Sequence, residues 1–229
     1  MTSNFEALNP TNTRYAESLG KGWSGVTGTN VSCVLQSQSL VDGRSVENAC
    51  RNRHNYRFEM DPLAGKAVVS FSHEIAHAFV YRTSGGLSGS PPPERRPFTD
   101  EERRVMSPAA VRSMADLELA GKPVLPVAVH DTEYLREGEP IPRDLEATNL
   151  SVTIEVLLDG TAGDIRLYYP MSMVEPVLDP DRVDNLWQDM KERILADRPN
   201  WDVDLPAETF SQELDRLRQD LRVVHTATD

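Results

Sequence analysis

The residues of this chain best placed to do chemistry are His73, Glu74 and His77, in the run Ser72-His73-Glu74-Ile75-Ala76-His77-Ala78-Phe79. The run holds a complete H-E-x-x-H. On a helix, positions four apart share a face, so both imidazoles can reach one Zn²⁺ while Glu74 stands beside the metal's open position. Zinc lowers the pKa of a bound water to about 7, and Glu74 can take its proton and pass it to a leaving amine. Such a set predicts a zinc metalloendopeptidase, a hydrolase with Zn²⁺ as cofactor.

A helix must carry the pair. Ala67, Val68, Phe71, Ile75, Ala78 and Phe79 follow helical spacing and predict a helix over residues 64–83, stopped by Gly85-Gly86. Catalytic zinc takes three protein ligands and keeps one position for water, so a third donor is needed. Glu101 and Glu102 open a predicted helix 24 and 25 residues beyond His77, and His54 and His130 are further donors. Glu101 is the chosen ligand, facing the motif helix from across a cleft, with Glu102, His54 and His130 as alternatives. His130-Asp131 reads as loop, since adjacent residues need not point together and no nucleophile signature accompanies them.

Residues 30–40 and 55–60 read as strands. Ser84 to Pro93 is too rich in Gly and Pro for regular structure, and Thr99-Asp100-Glu101-Glu102 and Ser107-Pro108 read as helix starts. Val152, Ile154, Val156 and Leu158 alternate along a strand that turns at Asp159-Gly160 and returns over residues 165–169. Two amphipathic helices follow, one with Val183, Leu186, Trp187, Met190 and Ile194, the other with Phe210, Leu214, Leu217 and Leu221. No internal repeat is read.

The 229 residues suffice for one substantial core and predict a monomer. Twenty-four basic against 36 acidic residues give a net charge of -12, which argues against nucleic acid or anionic membrane and favours a basic protein substrate. No apolar run approaches the ~20 residues of a membrane span, and no Sec signal opens the chain. Cys33 and Cys50 have no metal or redox spacing and predict buried, reduced thiols. Residues 1–30, rich in Ser, Thr, Asn and Gly, read as a flexible leader and residues 31–229 as the catalytic domain.

Asp100-Glu101-Glu102-Arg103-Arg104-Val105 resembles the E-E-x-R-T element that follows H-E-x-x-H in clostridial neurotoxin light chains and bacterial type III effector zinc proteases. Val105 stands in place of the family's threonine. The resemblance implies that His73, His77 and Glu101 bind zinc, that Glu74 is catalytic and that Arg104 is the arginine of the second helix. Arg166-Leu167-Tyr168-Tyr169 matches the family's downstream R-x-x-Y, which implies that Arg166 and Tyr169 face the oxyanion. The segment from Thr132 to Arg143 is similar to the T-E-N, R, G-L-P-x-R stretch of enteric and plant-pathogen effector proteases, with Tyr134 where they have Asn. The extended metzincin pattern is excluded by Val80 and Thr83.

The implied fold is α+β, a zincin-like single domain whose H-E-x-x-H helix packs near a small, mostly antiparallel sheet, with C-terminal helices. The implied protein is a secreted virulence effector or toxin, carried by a non-Sec route such as type III secretion into the host cytoplasm, where it cuts a host protein. The alternatives are a non-catalytic acidic interaction protein and an intrabacterial, cytoplasmic metallopeptidase.

Overall fold

A computed structural model describes residues 5–87, 96–197 and 206–226. Six strands form one antiparallel sheet: β1 (Val31–Asp42), β2 (His54–Asp61), β3 (Leu63–Phe71), β4 (Ala128–Leu135), β5 (Thr148–Leu158) and β6 (Thr161–Pro170), in the order β1-β5-β6-β3-β2-β4. Alternation on β2 buries His54, Tyr56, Phe58 and Met60 on one face. At the centre, β3 has every residue from Ala67 to Phe71 buried. This corrects the helix expected over residues 64–83. A strand covered on both faces is apolar at successive positions, and such a run mimics one turn of a buried helix.

Helices α1 (Asn9–Thr27), α3 (His73–Thr83), α4 (Asp100–Gly121) and α5 (Met171–Leu178) pack on one face of the sheet. The other face is partly covered by α2 (Gly43–Cys50) and a 3-10 turn at Arg143–Leu145, around Val46, Val68, Leu145 and Tyr168. Thr99 caps α4 in a reciprocal capping box with Glu102, and the helix runs on through Pro108 instead of restarting there. The pair α6 (Pro180–Asp197) and α7 (Ala207–Thr226) is held by an ion pair from Lys191 to Asp215 at 2.6 Å. Trp187 is buried at the root of the pair, and Arg193 reaches Asp61 at 3.1 Å. The side chain of Leu221 and residues 88–93 of the expected Gly- and Pro-rich loop lie outside the described residues.

The flexible leader expected over residues 1–30 is corrected as well. Tyr15, Ala16, Leu19 and Trp23 recur at helical spacing, and all four are buried in α1. Trp23 stacks on Phe71 with centroids 5.9 Å apart and meets Phe79 at 4.4 Å. Burial of that size gives most of the stabilisation of an amphipathic helix, so its Thr, Asn and Gly content does not prevent folding.

The chain also repeats itself, which its side chains conceal. Each half runs helix, edge strand, short helix or turn, hairpin, helix, and each edge strand pairs with the other half's hairpin: β1 with β5, and β4 with β2. His73 and Met171 open equivalent helices, and Leu63 and Thr161 open equivalent strands, each pair 98 positions apart. The same offset carries buried Asn12, Tyr15, Ala16 and Leu19 of α1 onto buried Ala110, Ser113, Met114 and Leu117 of α4. Sheet and helices thus form a two-fold duplication, not the zincin-like arrangement expected around the H-E-x-x-H helix.

Each outer strand is met at its start by a helix side chain. The Ser24 hydroxyl accepts the Val31 amide at 2.9 Å, and Gly20 lies so close that a Cβ there would sit 3.1 Å from the Val31 carbonyl. On the opposite flank Glu118 accepts the Val129 amide at 2.6 Å. Beyond it, β4 is irregular where it faces Arg57 and Glu59, and Asp131 has a φ of 51°.

Candidate functional site

Three imidazoles converge where β2 begins and α3 starts. Ser72 caps α3, accepting the Ile75 amide, and so places His73 in the first turn and His77 one turn later. His54, first residue of β2, meets both, with ring centroids 5.5 Å from His73 and 5.2 Å from His77. His73 and His77 lie 4.2 Å apart, and one nitrogen from each of the three rings falls within 4.8 Å of the others. Phe98 closes the cluster, stacked on His54 at 3.5 Å.

The two motif histidines are engaged with the backbone of one residue, Arg96. Nε2 of His73 accepts the Arg96 amide at 3.2 Å, and Nε2 of His77 lies 3.1 Å from the Arg96 carbonyl, to which it donates in its Nε2-H tautomer. They clamp the chain that leads into α4. Glu102 stands 3.8 Å from Nδ1 of His77 and binds the Arg96 guanidinium through both oxygens at 2.7 Å. Those bonds hold its carboxyl down at about 2. Burial, then the neighbouring imidazoles, push His54 down to about 3, and burial, then His73, push His77 down to about 4. All three rings are buried, and neither nitrogen of His54 has a hydrogen-bond partner among the described residues. Beside them lies a polar cleft of about 800 Å³, bounded by Arg51, Arg96, Tyr134 and Arg136.

The other expected site residues lie elsewhere. Glu101 is exposed in the first turn of α4, and its neighbour Glu102 is the one that turns toward His77. Glu74 is half-buried on α3, and Arg104 is exposed. Residues three apart on a strand face opposite ways, so Arg166 and Tyr169 cannot share a site. Arg166 pairs with Asp164, while Tyr169 is buried against Phe58 at 6.3 Å with its phenol pushed up by burial. His130 is exposed beside Asp131. His54 was only an alternative in the sequence, although its place in the alternation of β2 marks a polar residue at a core position.

A second feature is an apolar end of the molecule. Val26, Val34, Tyr81, Leu87 and Leu157 are all between 42 and 77% exposed. They lie around the end where α1 ends, β1 begins, α3 ends and the β5–β6 hairpin turns, with Val34 and Leu157 on the sheet face away from α1 and α3. Arg82 at the end of α3 reaches Asp159 in that turn at 3.7 Å and the Gly86 carbonyl at 2.9 Å. Gly86 packs on the Tyr81 ring, where a Cβ would fall 2.2 Å from a ring carbon. Leu87 is therefore presented by a built turn.

Comparison with known proteins finds likeness to flagellar switch proteins. The profile of a family described as flagellar motor switch protein FliM matches residues 52–183. Flagellar motor switch protein FliM of Pseudomonas aeruginosa is 29% identical over 123 residues, which are 52% of this chain and 37% of that protein. The match therefore spans little more than a third of the relative's length. Among solved structures, a FliG–FliM complex from H. pylori has a chain similar at a TM-score of 0.72 and 18% identity, covering 78% of this chain and 98% of that one. The FliM middle domain from H. pylori, with 79% and 99% covered, gives 0.69 at 16%, and Thermotoga maritima FliY, with 81% and 98% covered, gives 0.67 at 12%.

These findings overturn the reading built on H-E-x-x-H. The fold is that of the FliM middle domain and not of a zincin. The matched family is one of switch proteins, which are not peptidases and hold no zinc cofactor, so the hydrolase, the Zn²⁺ and the resemblance to neurotoxin and effector proteases are all withdrawn. The secreted effector in a host cytoplasm is withdrawn with them. No described helix is long and apolar enough to cross a membrane. The family profile matches more than half of the sequence, and the chain belongs to the family of the flagellar motor switch protein FliM.

Proposed function

We propose that this protein works in a flagellar switch by docking other proteins, as a non-catalytic component whose partner is a FliG-like motor protein. The observation that carries the reading is the family match over residues 52–183. The H. pylori relative crystallised as a FliG–FliM complex supports the choice of partner. The apolar end is the docking surface. Tyr81 and Leu87 are held by a turn that Gly86 and Arg82 fix, so little conformational freedom is lost on binding. Exposed apolar groups clustered on a rigid frame mark an interaction site more than scattered ones do.

The histidine cluster has a positioning role in this reading. By holding Arg96, it fixes the path into α4 and through it the register of the helix layer. Purified FliG from the same organism tests the proposal by titration against the full chain. Leu87→Asp combined with Leu157→Asp should weaken binding at least tenfold with unchanged circular dichroism, while Val111→Asp, on exposed α4 surface, should not. No binding by the unaltered chain would remove the partner, and undiminished binding by the double variant would remove the surface.

A further inference from the structure

The internal duplication exposes a difference between the halves that a single fold would hide. In the first half, Trp23, Phe71 and Phe79 fill the space between α1, α3 and the sheet. The 98-residue offset carries Trp23 onto Gly121, Phe79 onto Val177 and Phe71 onto Tyr169. Where the first half has an indole and a phenyl ring, the second has a hydrogen and an isopropyl group. An apolar cavity of about 80 Å³ opens there, and Gly121, Tyr169, Val174 and Val177 are among its walls. A Cβ on Gly121 would meet nothing nearer than a methyl of Val127 at 3.6 Å, so the first atom of the missing side chain has room.

We propose that this cavity is a binding site for an aromatic side chain, tryptophan above all, presented by a segment of a partner protein. The shape follows from the duplication, since the equivalent space in the first half accepts an indole between a ring on the sheet and a ring on the following helix. The source follows from the size. An engineered apolar cavity that holds a whole benzene measures about 150 Å³, roughly twice this volume, so only the leading part of a ring enters. A group that enters partway from an open mouth gains most when a backbone docked outside holds it in place, because that backbone bears the cost of ordering. The walls are almost wholly apolar, so a charged or strongly hydrogen-bonding group is excluded. This inference stands independently of the FliG-like partner.

The test uses the full chain with methyl labels, titrated with N-acetyl-tryptophanamide and with free indole while the Val174 and Val177 methyl signals are followed by NMR. The expected result is saturable movement of both signals with the amide, and at least a tenfold weaker response in Val177→Phe, which returns the ring that Phe79 supplies in the other half. Gly121→Leu, which fills the cavity from the opposite wall, serves if Val177→Phe does not fold. Absence of saturable movement overturns the site. Equal binding by the filled variants overturns its location, and binding of indole without the amide overturns the side-chain source in favour of a free small molecule.

Discussion

His54 and His77 carry the protonation state of the folded protein. Both titrate well below the ordinary imidazole value of 6.5, at about 3 and about 4, because burial and neighbouring rings disfavour the cation. Below 6.5 the unfolded chain therefore binds protons that the folded chain refuses. Stability is complete above that value, declines as the pH falls through the window, and levels off near 3. Between pH 6.5 and 5 each ring accounts for at most about 2 kcal/mol, since one pKa unit corresponds to about 1.4 kcal/mol. Urea unfolding at pH 7.5 and 5.0 should show this loss, and His54→Phe, which keeps the ring stacked on Phe98, should reduce it. An equal loss in that variant would exclude His54 as its source.

At the level of elements, the join between β6 and α3 depends on an absent side chain. A Cβ on Gly163 would lie 2.4 Å from the hydroxyl of Ser72, the cap of α3, and 2.6 Å from a carbon of Ile75. Gly163→Ala should destabilise the protein by about 1–3 kcal/mol through overpacking, and also weaken the histidine clamp that α3 carries. Gly25→Ala, with nothing within 4 Å in the last turn of α1, should stabilise by up to about 0.5 kcal/mol. Thermal melts of the two variants should therefore move in opposite directions. Much of this layer is legible in the residues themselves. The alternation of Val152 to Leu158, the Asp159-Gly160 turn and the Thr99 to Glu102 box mark local structure through local physics. β3 is not legible, because its doubly buried centre lacks alternation, and α1 is masked by its polar composition although Tyr15, Leu19 and Trp23 keep helical spacing. His73 and His77 do meet on α3, as their spacing requires. Their third neighbour comes from β2, and the group they grip is the backbone of Arg96, which no side-chain pattern reveals.

The whole molecule is two interlocked repeats, and neither half closes its own sheet. β1 lies on the second half's hairpin and β4 on the first half's. Arg53, on the loop before β2, adds a partly buried bridge between them, binding both oxygens of Asp164 at 3.0 and 3.1 Å and its carbonyl at 3.0 Å. Fragments 1–92 and 93–229 should each lack cooperative melting alone and regain it when refolded together in equal amounts. Independent melting of either fragment would show that the halves are separable. Asp164→Ala should cost about 1–3 kcal/mol in the intact chain, because the partly buried Arg53 would lose its carboxylate partner while keeping its bonds to Ser70 and to the residue-164 carbonyl.

The contacts at the starts of the outer strands bear on how copies of such a molecule can be assembled. Growth by strand addition needs a row of unanswered amides and carbonyls, and Ser24 on one flank and Glu118 on the other occupy the positions where that row would start. Strand addition at the start of either flank would first have to displace these bonds. Copies joined instead through helices and ends would meet by contacts with few main-chain bonds, which can slide or reseat without unravelling a sheet.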